Sequence, residues 1–381
     1  MLSITDFTAH AIRSDAARRC GADPHAFAFG EGLDRLVTAL ATEARLTPAG
    51  RAAVRASLVG ALETQARLRR LSSEHPEIAH TPVPRPVFVT GLLRTGTTLV
   101  HNLLAQHPGL RVPALWELMH PAAGRTGTAE TDRLVTTTQS YVDEYNAVAP
   151  GLKAIHFLDA RRPDECHRLT ANAMQSMVFE MRYRVPGYGA WLAGTDDTPA
   201  YAYHRRQLQA ILWARPGGPV VLKCPFHLWS LESLMRVYPD ARVVHLHRDP
   251  AETVPSTCSL CLAIRAARSD RVDPHEIGRQ WLARIEAAVD DLDRARKAIP
   301  AGQLLDVRYR DLMADPIGTM RRVGEFIGVP LPERGAAAMR TYLSHNTPTT
   351  RGVHRYRAED FGLDPADLRA RFADYRATYD C

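Results

Sequence analysis

The sequence predicts an α/β protein with a P-loop-like parallel sheet flanked by helices. Short apolar runs typical of buried strands occur at Val87–Val89, Val220–Leu222, Val243–Leu246 and Leu304–Val307. Stretches that favour helices separate these runs, and such alternation is typical of a parallel sheet. A glycine-containing turn follows the first run and leads directly into a helical pattern, which is the local order of a phosphate-binding unit.

The segment before the first strand, residues 1–80, is predicted to be a helical layer. Apolar residues recur there at helical spacing at Leu33, Leu36, Val37 and Leu40. Thr47 and Pro48 form a good N-cap and first-turn pair for a helix that runs to about Arg70. A proline-rich connector then leads into the first strand.

The α/β core is predicted to span residues 81–346. The interval between its first two strands is too long for a simple crossover, so we expect a mainly helical insertion at about 121–216 that covers the active site. Residues 347–381 would form a C-terminal closing segment. We expect all three parts to belong to one structural domain.

The composition narrows the class of protein. With 381 residues and 45% hydrophobic content the chain can bury a large core, and a net charge of +6 over that length does not indicate nucleic-acid binding. Charged residues interrupt the N-terminus, and no apolar run of about 18 residues occurs, so neither a signal peptide nor a membrane span is expected. Six irregularly spaced cysteines favour a reducing, cytoplasmic setting. The oligomeric state is not readable from the sequence.

The turn Gly91–Thr98 contains the G-x-x-x-x-G spacing of a P-loop. Its successive backbone N–H groups and the following helix N-terminus would bind an anion. A nucleotide triphosphatase would carry lysine where this chain has Thr97, and here the cation is Arg94, inside the turn. The departure favours an anionic chain shorter than a triphosphate, without magnesium. An ordinary strand–turn–helix junction and a magnesium-dependent kinase are the alternatives.

A second candidate anion site follows the third strand. Arg248 stands at the strand end and Ser256 lies eight residues further on, in a predicted helix. The guanidinium could make charge-assisted hydrogen bonds to a phosphate that the serine hydroxyl also approaches. Taken alone, the Arg-Asp-Pro turn could equally be a surface ion pair.

Three side chains are candidates for the chemical step. Lys223, at the end of the second strand, is one of only three lysines among 48 basic residues, which indicates a specific need for a compact ammonium. Glu117 follows the turn helix beside Trp116 and could serve as a general base, or simply as a structural carboxylate at a helix start. His227 is the rival base.

The run Arg94-Thr95-Gly96-Thr97-Thr98 resembles the 5′-phosphosulfate loop of sulfotransferases that use 3′-phosphoadenylyl sulfate (PAPS). The likeness is strongest to the bacterial family with tyrosylprotein-sulfotransferase-like motifs. It implies that these five residues wrap the phosphosulfate and that no metal is required.

The other motifs fit the same resemblance. Arg248 and Ser256 would bind the 3′-phosphate of the nucleotide, and Tyr309 would lie in the nucleotide-side tyrosine region. Lys223 would stabilise the transferring sulfuryl group and the leaving oxygen together with Arg94. Glu117 matches the catalytic glutamate of the tyrosylprotein-like enzymes.

His227 corresponds less well to the catalytic histidine of cytosolic sulfotransferases, because it lies four residues after the lysine, farther along than in that family. Glu117 is therefore ranked above His227. The tail residues Arg351, His354 and Arg355 resemble the family's closing segment, and a docked basic tail is the equal alternative.

The resulting hypothesis is a PAPS-dependent sulfotransferase that transfers a sulfuryl group to a hydroxyl or amine of a small-molecule acceptor and releases 3′-phosphoadenosine 5′-phosphate (PAP). The alternatives are a small-molecule kinase and a nucleotide-binding protein without catalysis. A hydrophobic or phenolic acceptor is suggested by aromatic residues in and near the insertion: Phe157, Tyr188, Trp191 and Tyr201. The same residues would serve equally well as core of the insertion.

Overall fold

The computed structural model describes residues 7–149, 151, 157–346 and 356–381. Arg351, His354 and Arg355 therefore lie outside the described residues. Three helices precede the sheet: α1 (Ala9–Cys20), α2 (Gly30–Thr42) and α3 (Pro48–Glu74). The predicted start of α3 is confirmed, because the Thr47 hydroxyl accepts a 2.9 Å hydrogen bond from the Gly50 N–H and Pro48 occupies the first turn.

Four parallel strands form the sheet, and all four lie where the apolar runs predicted them. They are β1 (Val87–Gly91), β2 (Val221–Lys223), β3 (Arg242–His247) and β4 (Leu304–Arg308), in the spatial order β2-β1-β3-β4. Phe88 of β1 pairs with Leu222 of β2 on one side and with Val243 of β3 on the other. Because the strands are parallel, their carboxyl ends meet at one edge of the sheet.

Helices fill the connections. Between β1 and β2 lie α4 (Thr97–Leu104), α5 (Leu115–Met119), α6 (Thr128–Val148), α7 (His167–Ala171), α8 (Val178–Arg182), α9 (Pro186–Ala193) and α10 (Thr198–Ala214). Between β2 and β4 lie α11 (Leu231–Val237), α12 (Pro250–Ala266), α13 (Pro274–Asp290) and α14 (Leu292–Lys297), with β3 after α11. After β4 come α15 (Tyr309–Ala314), α16 (Pro316–Ile327), α17 (Glu333–His345), α18 (Pro365–Arg371) and α19 (Ala373–Tyr379).

The two faces of the sheet pack against different helices because successive side chains of a strand point to opposite faces. Val87 and Val89 of β1 face a cluster that includes residues of α4, α16 and α17. Phe88, between them, faces a larger cluster that contains the N-terminal helices and the helices between β1 and β2. The sheet is thus flanked by helices on both faces, as the sequence predicted.

Two further observations concern the predictions about membrane spans and about the cysteines. No helix within the described residues is long and apolar enough to cross a membrane. All six cysteines lie in the described part, and each is a free thiol.

Candidate active site

The turn between β1 and α4 depends on unusual backbone angles. Arg94 and Gly96 have φ values of 70° and 94°, in the left-handed region, and Gly91 has φ 149°. A Cβ atom on Gly91 would lie 2.4 Å from the carbonyl oxygen of Leu246 on the neighbouring strand. Glycine at position 91 is therefore required both by the backbone angle and by the close approach of β3.

The interior of this turn is held by Thr95, whose hydroxyl donates a 2.7 Å hydrogen bond to the Leu92 carbonyl and is fully buried. Thr95 thus fixes the turn from inside. Helix α4 begins at Thr97, and its N-cap, Gly96, offers no side-chain acceptor. The first N–H groups of α4 therefore receive no side-chain cap from Gly96, which is the arrangement that binds anions.

Two arginines from different motifs meet at this turn. The Arg94 Nε donates to the Ser256 hydroxyl over 3.2 Å, and the Arg248 Nη1 donates to the Arg94 carbonyl over 3.1 Å. Burial lowers the pKa of the Arg94 guanidinium below its ordinary value, and the positive charge of Arg248 acts in the same direction. Two neighbouring cations of this kind are stabilised by an anion bound between them.

Tyr309 completes this side of the site. It starts α15 at the end of β4, and the Arg248 guanidinium lies 4.3 Å from the centre of its ring. A Cβ atom on Gly96 would come within 3.0 Å of the same ring. The structure therefore brings together the glycine turn, the Arg248–Ser256 pair and Tyr309, which the sequence placed in three separate motifs.

Lys223 lies at the end of β2, with only 3% of its surface exposed. Its Nζ donates to the Glu165 Oε1 over 2.6 Å and to the Thr98 hydroxyl over 3.2 Å. The Thr98 contact places the ammonium beside the first turn of α4. Lys223 and the anion-binding turn thus belong to one site.

Glu165 is the functional candidate that sequence reasoning missed. It lies between β1 and β2, where the sequence carries no recognisable motif, and it is held in place because the Cys166 N–H donates to the Lys223 carbonyl over 3.0 Å. Its Oε2 lies 3.1 Å from the His167 Nδ1. The only available signal was the carboxylate-rich run Asp164-Glu165 after Pro163, and such runs are common on protein surfaces.

The tautomer of His167 follows from its partners. Arg182 donates to its Nε2 over 3.3 Å, so the proton of the neutral ring is on Nδ1 and is donated to Glu165. Burial lowers the pKa of His167 to about 4, so the ring is neutral near pH 7. The Glu165 carboxylate is therefore held by Lys223 on one oxygen and by His167 on the other.

Glu117 lies in a different environment. Its Oε2 accepts a 2.9 Å hydrogen bond from the Ala114 N–H at the start of α5, and its Oε1 pairs with Arg111. The side chain is 7% exposed. These contacts favour the alternative interpretation of Glu117 as a structural carboxylate at a helix start.

This interpretation gives a testable prediction. We expect Glu117→Gln to lower the melting temperature by several degrees while changing turnover by less than about threefold, because a buried charge-assisted pair is lost away from the chemical step. Thermal unfolding and initial rates on the same preparation measure both effects. A hundredfold fall in turnover at unchanged stability would restore Glu117 as the base.

His227, the rival base, is also engaged. Its Nδ1 lies 2.7 Å from the Tyr201 hydroxyl and its Nε2 lies 3.1 Å from the Cys166 sulfur. Burial lowers the pKa of His227 well below its ordinary value. The ring thus lies in a buried network with Tyr201 and with Cys166, the residue after Glu165.

A cavity of about 360 Å³ adjoins this network. Cys224 and His227 form part of its wall, and they follow Lys223 in the chain. Several large apolar or aromatic side chains from the inserted helices and from the 3₁₀-helix Pro225–Ser230 line it: Met177, Leu192, Tyr201, Phe226 and Trp229. An ion pair between Glu180 and Arg284, at 2.8 Å, closes one side.

The four aromatic residues singled out in the sequence have separate positions. Tyr201 lines the cavity, whereas Tyr188 is fully buried and donates to the Met174 carbonyl over 2.9 Å. Trp191 packs on Tyr188, and Phe157 lies under the guanidinium of Arg162. Tyr188 and Trp191 therefore serve mainly as core of the inserted region.

Within the part of the chain that the structure describes, two groups of side chains have the composition of metal ligands. They are Glu165, His167 and Cys224, and His245, His247 and Asp306. In each group a cation already neutralises the carboxylate: Lys223 lies 2.6 Å from Glu165, and Arg296 lies 2.7 Å from Asp306. The residues of both groups are therefore better explained as ion-pair networks.

A strand, a glycine turn and a helix, with arginines from two strand ends and a buried lysine from a third, have the arrangement of a P-loop type of site. A family model described as "Sulfotransferase family" matches residues 86–333, which include every site residue described above. The chain therefore belongs to the sulfotransferase family. The family that the sequence motifs predicted is confirmed.

Solved structures agree with this assignment. The chain is similar to sulfotransferase STF1 from Mycobacterium tuberculosis H37Rv, with 32% identity, a TM-score of 0.83 and coverage of 95% of this chain and 97% of that one. It is also similar to sulfotransferase STF9 from Mycobacterium avium, with 30% identity, a TM-score of 0.86 and coverage of 98% and 97%. The predicted fold class is confirmed.

A curated relative is more distant. The chain is 24% identical over 264 residues to the omega-hydroxy-beta-dihydromenaquinone-9 sulfotransferase Stf3 of Mycobacterium bovis, and the match covers 68% of this chain. It spans 66% of the length of that relative, slightly less than two thirds.

Proposed function

We propose that this protein transfers a sulfuryl group from PAPS to a hydroxyl or amine of a small-molecule acceptor. The observation that carries the proposal is the convergence of Arg94, Arg248 and Ser256 on the glycine turn, beside the buried pair of Lys223 and Glu165. Anion-binding groups and a possible acid–base pair thus occupy one edge of the sheet.

The residues present fit a nucleotide with two separate anionic ends. The N–H groups at the start of α4, with Arg94 and Thr98, would hold the 5′-phosphosulfate. Arg248 and Ser256, at the neighbouring strand end, would hold the 3′-phosphate. The close approach of Gly96 to the Tyr309 ring supports this assignment of the two anionic ends. It places the glycine turn, which would hold the 5′-phosphosulfate, directly against the side of the site that would hold the 3′-phosphate.

PAPS supplies an activated sulfuryl group, and the protein side chains supply orientation, proton transfer and charge stabilisation. Glu165 would accept the proton of the acceptor hydroxyl at its Oε1, while His167 holds the Oε2. Lys223 would donate from Nζ to the leaving oxygen, together with Arg94. The contact of Lys223 with both Glu165 and Thr98 supports this arrangement, because it places the ammonium between the base and the anion-binding turn.

This assignment moves the proposed base from Glu117 to Glu165. The reason is geometric: a general base must reach the group from which it takes a proton, and Glu165 contacts the lysine at the reaction centre. Among the described residues, the contacts of Glu117 are instead with Arg111 and with the Ala114 N–H at the start of its own helix. His227 is instead enclosed by Tyr201 and Cys166.

We propose a largely apolar acceptor with a hydroxyl group. Met177, Phe226 and Trp229 line the cavity whose wall includes Cys224, the residue after Lys223, and they favour an apolar or aromatic body. The name of the relative Stf3 describes an acceptor of this general kind, a hydroxylated menaquinone derivative. A panel of phenols, primary alcohols and prenylated quinols would test the class.

Calorimetric titration with PAP tests the cofactor assignment. We expect metal-independent binding that weakens about a hundredfold in Arg248→Ala, because a charge-assisted contact to the 3′-phosphate is lost. The affinity for adenosine 5′-phosphate, which lacks that phosphate, should change by less than about threefold. Arg236→Ala serves as the matched control, because Arg236 is an exposed arginine paired with Asp196.

The other outcomes distinguish the alternatives. Binding of magnesium ATP without binding of PAP would overturn the proposal and favour a kinase. Binding of PAP with no transfer to any member of the acceptor panel would favour the nucleotide-binding protein without catalysis. Equal loss of PAP and adenosine 5′-phosphate affinity in Arg248→Ala would remove Arg248 from the 3′-phosphate site.

A further inference from the structure

The last helix of the chain, α19, and the residue after it contact both strand ends that carry the proposed 3′-phosphate site. We propose that the segment Tyr375–Asp380 is a clamp that positions Arg248 and Tyr309 and thereby sets the selectivity for a nucleotide with a 3′-phosphate. The inference rests on the proposed function. The residues of the clamp contact the residues that precede and follow Arg248 and Tyr309 in the chain.

The first contact is made to His247, the residue before Arg248. The Tyr375 hydroxyl lies 2.8 Å from the His247 Nδ1, and the Tyr379 ring stacks on the imidazole with 3.9 Å between ring centres and an angle of 11°. His247 is fully buried. Two aromatic side chains of α19 therefore fix the orientation of this imidazole.

The other nitrogen of the same imidazole is held by a partly exposed ion pair. The His247 Nε2 lies 2.8 Å from the Asp306 Oδ1, and Arg296 binds both oxygens of Asp306 at 2.7 and 2.8 Å. Asp306 is in β4, two residues before Arg308. The network thus ties the carboxyl ends of β3 and β4 to α19.

The second contact is made to Asp249, the residue after Arg248. The Arg376 Nε lies 2.9 Å from the Asp249 Oδ2 as an ion pair. The other oxygen, Oδ1, accepts a 2.8 Å hydrogen bond from the Ala251 N–H and so caps α12, the helix that carries Ser256. Arg248 is therefore held through both of its neighbours in the chain.

The third contact repeats this pattern at Tyr309. Asp380 accepts hydrogen bonds from Arg308, at 2.6 Å, and from Arg310, at 3.0 Å, the residues before and after Tyr309. These ion pairs are exposed and contribute little stability by themselves. Their position matters more, because they flank the ring on which the Arg248 guanidinium lies.

The three contacts have one common effect. Arg248 follows β3 and Tyr309 follows β4, and the guanidinium of Arg248 stacks on the Tyr309 ring. This stacking can fix the direction of the guanidinium relative to Ser256 only if the ends of β3 and β4 keep their relative positions. The clamp supplies that constraint. Loss of the clamp should therefore reduce binding of the 3′-phosphate and leave the turn at Gly91–Thr98, which binds the other end of the nucleotide, unchanged.

The test compares two nucleotides with the full-length protein. Tyr375→Phe removes the hydrogen bond to His247 and keeps the ring, so we expect the affinity for PAP to fall about fivefold while the affinity for adenosine 5′-phosphate stays within about twofold. Arg376→Gln should act in the same direction and provides a second variant should the first fold poorly. Phe372→Leu is the control, because Phe372 is a buried core residue that directly precedes α19.

The outcomes separate the two proposals. A fall in the ratio of PAP to adenosine 5′-phosphate affinity, in the Tyr375 and Arg376 variants but not in Phe372→Leu, supports the clamp. An unchanged ratio, or an equal loss for both nucleotides, would overturn it and leave α19 a purely structural element. Failure of the unmodified protein to bind PAP would instead overturn the proposed function.

Discussion

Replacing Lys223 by methionine is expected to lower turnover about a thousandfold while leaving the affinity for PAP within about threefold, because the ammonium stabilises charge that develops only during transfer. Methionine has a similar length and is apolar, so it suits a position that is only 3% exposed. Single-turnover rates with saturating PAPS measure the effect. Lys297→Met is the matched control, because Lys297 is an exposed lysine of α14.

The Lys223 variant also removes the ammonium that lies 2.6 Å from Glu165, and a largely buried carboxylate that loses its cation can reduce activity by itself. The double variant Lys223→Met/Glu165→Gln tests this second cause, since it removes the carboxylate charge as well. We expect the double variant to be no faster than Lys223→Met. Recovery of most of the activity would contradict both the leaving-group role of Lys223 and the base role of Glu165. Turnover of Lys223→Met close to that of the unmodified protein would contradict the leaving-group role.

The second large effect is expected at Glu165. Glutamine keeps the size of the side chain and can still contact Lys223 and His167, but it cannot take a proton, so we expect turnover to fall by about 10²–10³ with little change in PAP affinity. Single-turnover rates and calorimetric titration with PAP on the same preparation measure the two effects.

Glu117→Gln is the natural comparison for this experiment, because it makes the same substitution at the carboxylate that the sequence motifs favoured. A large loss of turnover at Glu165 with a small loss at Glu117 would support the geometric assignment. The reverse pattern would contradict that assignment and indicate Glu117, in α5, as the base. Comparable losses in both variants would show that the site requires both carboxylates. Glu165 could then no longer be assigned as the one general base.

The sequence predicted the parts of the site that depend on local backbone chemistry. The glycine turn, the four strands and the Thr47 cap were all visible because glycine, apolar runs and capping residues have strong local preferences. Arg248 and Ser256 were found because both lie in one strand–turn–helix unit. Family resemblance supplied their expected ligand.

Glu165 was not predictable in this way. Its role depends on a contact with Lys223, which is 58 positions away in the chain, and on a backbone hydrogen bond that no short motif records. Glu117 had the opposite problem, because its position in the chain resembled a catalytic one while its contacts with Arg111 and Ala114 became visible only in three dimensions.

The order of the strands has a consequence for the length of the nucleotide. Lys223 ends β2, the glycine turn follows β1 and Arg248 follows β3, so the three groups stand on consecutive strands of the sheet. Neighbouring strands are about 4.8 Å apart, which separates the outer two strand ends by roughly 10 Å. The hydrogen-bonded sheet therefore sets the distance between the two groups that we propose to bind opposite ends of the donor.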